Sequence, residues 1–503
     1  MGLLDIFRKR EDAKRMHPKT QKIQHRIYKA AETGRLFGDW KSNDNSADAE
    51  IRYQLKLIRE RCRDLARNNE YARRYIKLLE RNVVGERGIS LQMKAREPNG
   101  VLDIVANDQI ERAWRQFTKL GAPTIDGRMD FVDAQNFVIS SVARDGEAII
   151  VLHENNEPGM PSVQIQFIEP DQVDETYNGT LQNGNEVRMG VELNDARRPV
   201  AYHVFENHPG DDIFNMKKSN IKRMRIPAER VIHIYDQERA GQTRGVPWLQ
   251  SVAAPLKMLN GWREASLVNQ RASASKMGFF TTPAGENFPA DDYDNEVPLI
   301  DFEPGTLHQL PEGVSFEAFD PHNPTTNFAD FERQILKGIA SSLNVSYIDL
   351  ANDLESVSYS SIRQGALADR DNYKALQGFM IRHFIMPVFE AWLRATIVDE
   401  KINLPIEKFD KWMDGAEFRG RGWQWVDPKK EMEASILGLK SGVLTMQDIA
   451  NQYGRDVEET MAQIARDKQL AEQFGIAFAL EPFGATQMPI EPDVSGGDDA
   501  GSN

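Results

Sequence analysis

The sequence predicts an α+β fold, and three observations support this. Apolar residues recur at helical spacing in both halves of the chain, whereas residues 148–235 contain short alternating runs separated by Asn, Gly, Pro and Asp. At ~150 residues per domain, the 503 residues, of which 40% are hydrophobic and 27% charged, allow two to four packed domains. The longest apolar runs, such as 474–480, are far shorter than the ~20 residues of a membrane-spanning helix, so we expect no membrane segment.

The first 90 residues are basic and, after an arm, helical. Residues 1–46 are polar and predict a basic N-terminal arm. Apolar residues at i+3 and i+4 spacing predict helix from 47 to 84, with the arginines mainly on the other faces; the apolar stripe contains Ile51, Leu55, Ile58, Cys62 and Leu65. Gly85 and Gly88 are expected to end this helix before a strand at 89–93.

The middle of the chain combines helices and antiparallel strands. Helices are predicted over 102–120 and 131–145, the second opened by Asp130. Alternating runs then predict five strands: 148–153, 163–168, 190–193, 200–205 and 231–235. Before the last strand lies a predicted basic loop, either solvated or in contact with nucleic acid or an acidic partner; its cations are Lys217, Lys218, Lys222, Arg223 and Arg225.

The second half is predominantly helical. Pro247 is expected to open a helix to about residue 276, with Pro255 bending it or delaying its start. The insertion 279–323, rich in Pro, Gly and Asp, predicts a small β or α/β module. Another helix follows, with one apolar stripe: Phe328, Phe331, Ile335, Ile339 and Leu343.

Residues 344–358 interrupt the helices and predict a non-helical segment. They contain Asp349, Asp353 and Glu355 and no basic residue. Fifteen residues are more than a helix–helix connection needs, which indicates a functional or mobile segment. A long helix is predicted over 359–397, kinked at Pro387, and two shorter helices follow at 429–440 and 445–467 before an acidic, Gly-rich tail.

Sequence patterns typical of catalysis are absent. The chain has no Gly-x-x-x-x-Gly-Lys-[Ser/Thr] loop and no Gly-x-Ser-x-Gly elbow, and its nine histidines are scattered singly. The single cysteine, Cys62, excludes a disulfide framework and lies on an apolar stripe, where it is expected to pack in the core. We therefore predict that the chain is not an enzyme and that it holds no catalytic site, metal or cofactor.

Charge is distributed unevenly along the chain. The 62 basic and 76 acidic residues give a net charge of −14, yet residues 1–90 carry +9 and the remainder −23. Because phosphate binding needs cations, the acidic body argues against a protein that clamps DNA over its whole surface.

Five local strings resemble the lambda-type portal (head–tail connector) proteins of tailed bacteriophages. These strings are Arg61–Asn69, Asn82–Ile89, Phe167–Val173, Gly245–Leu249 and Tyr359–Arg363. Within them, the residues that match the family signature are Arg67, Asn68, Asn69, Gly85, Gly88, Ser360 and Arg363. The similarity extends from about residue 4 to about residue 467 and is therefore not confined to one motif.

The resemblance implies the parts of a portal subunit. In chain order these are a basic arm (1–46), an α+β wing (47–245), a first stem helix (246–278), a clip (279–323), a second stem helix (324–343), a tunnel loop (344–358), a long wing helix with a return segment (359–427), a crown (428–470) and an acidic disordered tail (471–503).

The resemblance also implies the function and the partners. Portal subunits form a ring, typically a dodecamer, at one capsid vertex, and the ring is the channel for double-stranded DNA during packaging and ejection. The implied partners are other copies of the chain, major capsid and scaffold proteins, the terminase large subunit, and head-completion or tail connector proteins. DNA contact would be transient and independent of sequence. The implied location is the virion, with the host cytoplasm during assembly.

Two groups of residues are expected to line that channel. In the tunnel loop they are Tyr347, Asp349, Asp353 and Glu355, and in the stem helices they are Lys257, Arg263, Arg333 and Lys337. The acidic loop would repel the phosphate backbone, and a few stem cations would centre the duplex without holding it.

Two other classes of function stay open at this point. One is a nucleic-acid-processing enzyme in which Asp349, Asp353 and Glu355 bind Mg²⁺. The other is a virion adaptor protein that forms no ring. Metal-dependent cleavage of nucleic acid would indicate the enzyme. The absence of a ring would favour the enzyme or the adaptor protein over a portal.

Overall fold

A computed structural model describes residues 44–155, 157, 159–211, 222–274, 278–281, 315–318, 328–355, 359–423, 428–452 and 457–475. The chain divides into two units, Met1–Ser46 and Ala47–Asn503, and every helix and strand below belongs to the second. The basic arm up to residue 43, most of the 279–323 insertion, Lys217, Lys218 and the tail after residue 475 lie outside the described residues.

The region 47–84 is helical, as predicted, but it is not one helix. It consists of three α-helices and a π-helical turn: Ala47–Ile51, Leu55–Asn68, Glu70–Leu79 and Glu80–Val84. Asn69 causes the main break, because its backbone is extended and its side chain accepts the N–H groups of the next helix. Gly85 adopts a φ of +76°, which favours glycine, and ends the helical region as predicted.

The next two helices carry the aromatic core. They span Ile104–Phe117 and Phe131–Asp145, and Asp130 caps the second through a capping box with Asp133. The Trp114 ring lies 4.9 Å from Trp392 and 5.3 Å from Phe389, both on the helix Met386–Val398. The early helices are therefore fixed to an element more than 250 residues later in the chain.

The strands of the described residues form antiparallel sheets, which confirms the predicted mixed helix and strand middle. The three-stranded sheet has the order Val163–Ile168, Glu147–Glu154, Val231–Tyr235. The five-stranded sheet follows chain order: Gly179–Thr180, Glu186–Arg188, Val191–Leu193, Pro199–Phe205, Arg223–Pro227. Two two-stranded ribbons complete the set: Ser90–Met93 with Ala416–Arg419, and Gly278–Thr281 with Ser315–Ala318.

Apart from the ribbon of the insertion, four of these strands were not predicted: Gly179–Thr180, Glu186–Arg188, Arg223–Pro227 and Ala416–Arg419. One of the four corrects an expectation. Arg223 and Arg225 lie in the strand Arg223–Pro227 and not in a loop. Arg225 pairs at 2.8 Å with Glu192, which lies two strands away in the same sheet. Arg223 pairs with Asp174. At two to five residues, these strands lie near or below the lower end of the roughly four to eight residues over which apolar alternation identifies a strand from sequence.

Two long helices pack as an antiparallel hairpin. They span Gln250–Ala274 and Phe328–Ser342. The Ser342 hydroxyl donates to the Ser251 hydroxyl at 2.9 Å, so the end of the second helix meets the beginning of the first.

The helix hairpin continues into a β-ribbon. Trp262, midway along the first helix, lies 5.1 Å from Phe331 near the beginning of the second, and Gly278 pairs with Ala318 beyond them. The predicted insertion therefore begins and ends on paired strands. The first helix begins at Gln250 and not at Pro247, because the Leu249 N–H bonds to Ala143 outside this helix.

The remaining helices follow the predicted order with local differences. The long helix runs through Tyr359–Met380, a π-helical turn Ile381–Ile385 and Met386–Val398, so the irregular turn immediately precedes the predicted kink residue Pro387. A short helix at Phe409–Asp414 was not predicted.

The C-terminal helices span Pro428–Lys440, Met446–Gln452 and Val457–Gln473. The first matches its prediction, whereas the predicted helix 445–467 is two helices separated by residues outside the description. Among the described helices, none has the length and hydropathy that a membrane crossing requires.

Candidate functional site

The segment predicted to be a non-helical tunnel loop contains a short helix, Tyr347–Ala351. Ser346 caps this helix, because its Oγ accepts the N–H of Asp349 at 3.2 Å. Asn352 ends it with a left-handed φ of +54°. The expectation of a wholly non-helical segment is therefore wrong.

The first part of this segment is packed against the body of the protein. Val345 and Leu350 are buried in the main hydrophobic core beside Leu343. The Arg74 guanidinium Nε donates to the Asp349 carbonyl at 3.0 Å. Buried apolar anchors and a backbone hydrogen bond thus hold residues 343–350, and the exposed acidic stretch begins only after the short helix.

That acidic stretch is bound to the helix Phe328–Ser342 by Arg333. The Arg333 Nε lies 3.2 Å from Oδ2 of Asp353, and its Nη2 donates to Oε2 of Glu355 at 2.7 Å. The Tyr347 hydroxyl donates to the same Asp353 oxygen at 2.7 Å. These four residues form the Arg333 cluster. Lys337, one turn after Arg333, lies 5.9 Å over the Tyr347 ring.

The charges of the Arg333 cluster balance one another in part. The Tyr347 hydrogen bond and Arg333 lower the pKa of Asp353, while burial and the nearby Asp353 carboxylate raise the pKa of Tyr347 to about 12. Asp353 is therefore held in its ionised form beside a cation, and Glu355 pairs with the same cation. This corrects the expectation of an acidic loop with unopposed charge, because the opposing cation comes from a different element.

Asp349 lies apart from the Arg333 cluster and close to Asp369. Asp369, on the long helix, is 8% exposed, and its Oδ2 accepts the Ser346 N–H at 3.3 Å. Burial first, and the nearby Asp349 carboxylate second, raise the pKa of Asp369 to about 6, although the Ser346 hydrogen bonds oppose the shift. The hydrogen bond between Ser346 and Asp369 joins the start of the short helix to the long helix.

Replacing Asp369 with asparagine is expected to stabilise the protein above pH 6 by about 1–3 kcal/mol. A carboxyl whose pKa is raised by folding takes up protons on folding, so its cost to stability grows as pH rises from about 4 to above 6. The amide carries no charge and can still accept the Ser346 N–H. The check is urea denaturation at pH 4.5 and pH 7.5, with the exposed Asp410→Asn as control. An equal effect at both pH values would contradict the assignment.

The other two predicted stem cations differ in their surroundings. Lys257 is exposed on the first helix of the hairpin. Arg263 pairs with Glu70, lies 3.4 Å from Glu332 and stands 5.7 Å over the Tyr71 ring. Arg263 therefore ties both helices of the hairpin to the helix Glu70–Leu79.

The two asparagines of the family signature make hydrogen bonds within and between helices. Asn68 bonds to Asp64 at 2.7 Å, whereas Asn69 caps a helix and also donates to Asn260 of the hairpin at 3.0 Å. Arg67 is exposed in the last turn of its helix.

The remaining signature residues lie at turns and at the start of the long helix. Gly88 has a φ of +68°, and a Cβ there would meet Val132 at 2.9 Å. Gly85 similarly faces Arg421. Ser360 lies in the first turn of the long helix, and Arg363, half-buried, follows one turn later.

A buried ionic network, which the sequence did not predict, joins the helix Leu55–Asn68 and two sheets to the segment before the hairpin. Glu147 and Arg244 are both fully buried, and Arg244 Nη2 donates to Glu147 Oε1 at 2.6 Å. Arg59, also fully buried, lies 3.1 Å from the same carboxylate and 2.9 Å from Asp171. The sequence pattern predicts the arginines mainly on the faces away from the apolar stripe and does not predict that Arg59 is buried.

Backbone and histidine contacts complete the network around Glu147. Arg244 donates to the carbonyls of Met189 at 2.8 Å and Pro170 at 2.9 Å. The His233 Nε2 lies 2.8 Å from Glu147 Oε2. Burial by itself would raise the pKa of Glu147, but Arg244 and His233 lower it well below the usual range. The network holds a helix, two sheets and the segment before Gln250 together.

The described residues give no support to a site formed by Asp349, Asp353 and Glu355. The only described cluster of three potential metal ligands is Glu169, Asp171 and His208, with ligand atoms within 4.8 Å of one another. In that cluster Asp171 already pairs with Arg63 at 2.5 Å. The predicted acidic trio is instead divided between Arg333 and the neighbourhood of Asp369.

Comparisons with known proteins agree on one family. The family model "Phage portal protein, lambda family" matches residues 33–377. The chain is 33% identical to the probable portal protein of Halomonas phage phiHAP-1, over 94% of this chain and 92% of that protein. It is 24% identical to portal protein B of Escherichia phage lambda, over 85% of this chain and 86% of that protein.

Among solved structures, the neck of an empty GTA particle computed with C6 symmetry is similar at 13% identity and a TM-score of 0.43, over 84% of this chain and 99% of that chain. The family match covers well over half of the chain, and the first relative is similar along nearly its whole length. The chain therefore belongs to the lambda family of phage portal proteins.

Proposed function

We propose that this portal protein assembles into a closed ring at one capsid vertex and that the ring is the channel for double-stranded DNA. Twelve copies are the number that the resemblance to lambda-type portals implies. During packaging the ring would dock the terminase large subunit, and afterwards it would dock head-completion or tail connector proteins. Capsid and scaffold proteins would surround it. The chain itself would perform no catalysis, since the motor belongs to the partner.

The proposed division of the subunit follows the elements of the fold. Residues 47–245 and 359–427 form the wing, and the helix hairpin within 246–278 and 324–343 forms the stem. The insertion 279–323 forms the clip, 344–358 the tunnel loop, and 428–470 the crown. The arm 1–46 and the tail 471–503 lie at the ends, where the basic arm is a candidate for contact with capsid, scaffold or packaged DNA.

One observation carries the ring proposal most strongly. The first hairpin helix exposes Met258 at 74% and Leu267 at 59% of their surfaces. Nine residues correspond to about 2.5 helical turns, so these side chains lie on opposite sides of the helix. A ring contact is heterologous and uses two different faces of each subunit, one for each neighbour. Apolar side chains exposed on both sides of one helix fit that requirement.

The charges of the stem fit a channel through which DNA slides. Affinity for DNA rises with each phosphate that a cation neutralises, so a channel lined with free cations would hold the duplex. Arg263 and Arg333 are both paired with carboxylates. The other two predicted stem cations, Lys257 and Lys337, have no ion pair among the described residues. Transient and sequence-independent contact is the expected result.

Omitting this chain from head assembly is expected to yield heads without DNA. In cells that produce the remaining head and terminase proteins, packaged DNA protected from nuclease should fall at least 100-fold and return when the chain is supplied. Supplying the fold-neutral variant Glu186→Gln should restore packaging equally well. Heads that fill with DNA in the absence of the chain would contradict the proposal.

The enzymatic alternative makes a different prediction. A Mg²⁺-dependent nuclease would cleave DNA with the purified chain alone and lose that activity with Asp353→Asn. Because Asp353 is bonded to Tyr347 and paired with Arg333, its carboxylate is already engaged by the protein. Cleavage that depends on Asp353 would favour the enzyme over the portal ring.

A further inference from the structure

The Arg333 cluster resembles a phosphate-binding site whose anions belong to the chain itself. Arg333 presents Nε and Nη2 to two different carboxylates, at 3.2 Å and 2.7 Å. A guanidinium binds the oxygens of a phosphate through the same fork of N–H groups. Asp353 and Glu355 therefore occupy the donors that a DNA phosphate would use.

Hydrogen bonds position the Asp353 carboxylate on one side of the cluster, and the other side faces solvent. The Tyr347 hydroxyl and the Glu355 N–H bond to the two oxygens of Asp353, at 2.7 Å and 3.0 Å. The helix that carries Tyr347 is anchored by the buried Leu350. On the other side the cluster is open to solvent, because the Glu355 side chain is 79% exposed.

An exposed ion pair of this kind is weak and is screened by salt, so another anion can displace it. The phosphates of duplex DNA form the densest array of anions that a channel wall would meet. Arg333 is thus a cation suited to binding phosphate, and the carboxylates that pair with it are bound weakly and reversibly.

We infer that Asp353 and Glu355 are internal competitors that keep DNA phosphates from binding tightly to Arg333. The inference rests on the proposed channel function. Each phosphate that reaches Arg333 must displace a carboxylate, and the carboxylate returns when the duplex moves on. Each contact between Arg333 and a DNA phosphate is thereby kept brief, although the arginine remains in the channel wall.

The test measures binding of a short linear DNA duplex to rings of the full-length protein between about 50 and 200 mM KCl. The proteins are wild type, Asp353→Asn/Glu355→Gln, Arg333→Gln, and the triple variant. The double amide variant is expected to bind about three- to tenfold more tightly than wild type. Its salt dependence should steepen by about 0.9 for each Arg333 that gains a phosphate. In the triple variant this gain should be lost.

A matched control separates competition from a general change of charge. Asp108→Asn/Glu390→Gln also removes two exposed carboxylates paired with arginines, Arg112 and Arg394, on other helices. We expect less than a twofold change from it. An equal gain from this control, or a gain that persists in the triple variant, would overturn the inference.

The same experiment distinguishes failure of the inference from failure of the proposed function. Rings that bind DNA no more tightly after the amide substitutions would contradict only the competition at Arg333. Absence of rings for every protein, wild type included, would contradict the proposed function and the inference together.

Discussion

Replacing Met258 or Leu267 with glutamate is expected to prevent ring assembly and to leave the subunit folded. Both side chains are exposed in the subunit, so a carboxylate there costs little before assembly. In the proposed ring each would be buried against a different neighbour. Placing an unpaired carboxylate at such a contact costs about 3 kcal/mol, or roughly 100-fold in affinity at each interface. Because a closed ring repeats the interface in every subunit, a single substitution should suffice.

The measurement is the mass in solution by light scattering, together with the thermal unfolding midpoint of the subunit. Val398→Glu is the matched control, since Val398 is also an exposed apolar residue on a helix but lies outside the hairpin. It should assemble as wild type does. Normal rings from both Met258→Glu and Leu267→Glu would show that this helix does not form the contact.

Replacing Glu147 with glutamine is expected to destabilise the protein by about 3–5 kcal/mol. The substitution preserves the shape of the side chain but leaves Arg244 buried without its carboxylate and weakens the pairing of Arg59. A buried guanidinium without a counter-charge is among the most costly single changes in a protein interior. The network also bonds the segment that precedes the hairpin, so the damage should extend to the stem.

Urea denaturation followed by tryptophan fluorescence measures this loss, with Glu186→Gln as control. Glu186 pairs with Arg188 at 3.0 Å but is about half exposed, so we expect less than about 1 kcal/mol from it. Because the pKa of Glu147 is lowered by folding, its contribution is present above its unfolded pKa and is lost only in strong acid. The difference between wild type and Glu147→Gln should therefore hold from pH 8 to about pH 5. Equal effects of the two substitutions would contradict the role of the network.

Local sequence patterns predicted most of the helices and strands because the relevant interactions are local. Asp130 caps the helix Phe131–Asp145 within one turn, and Gly85 supplies a positive φ where a helix ends. The break at Asn69 was missed because an asparagine is compatible with a helix interior and with a cap. Asn69 acts as a helix cap because its side chain accepts the backbone N–H groups of the following helix, and only the structure shows this contact.

The ionic network and the Arg333 cluster could not be predicted from local patterns. Glu147 and Arg244 are 97 residues apart, and Arg333 and Glu355 are 22 apart across a segment that was expected to lack a helix. A charged residue on a helix is solvated by default, and only tertiary contact shows that Arg59 is buried. The resemblance to portal proteins identified the family, but the partners of each predicted site residue required the structure.

Negative-stain electron microscopy combined with light scattering shows whether the subunits form a ring with a central channel. Purified full-length protein, at high concentration and with scaffold protein co-expressed, is expected to give round particles with a central hole and the mass of about twelve subunits. Monomers or dimers without a hole under all of these conditions would contradict the account.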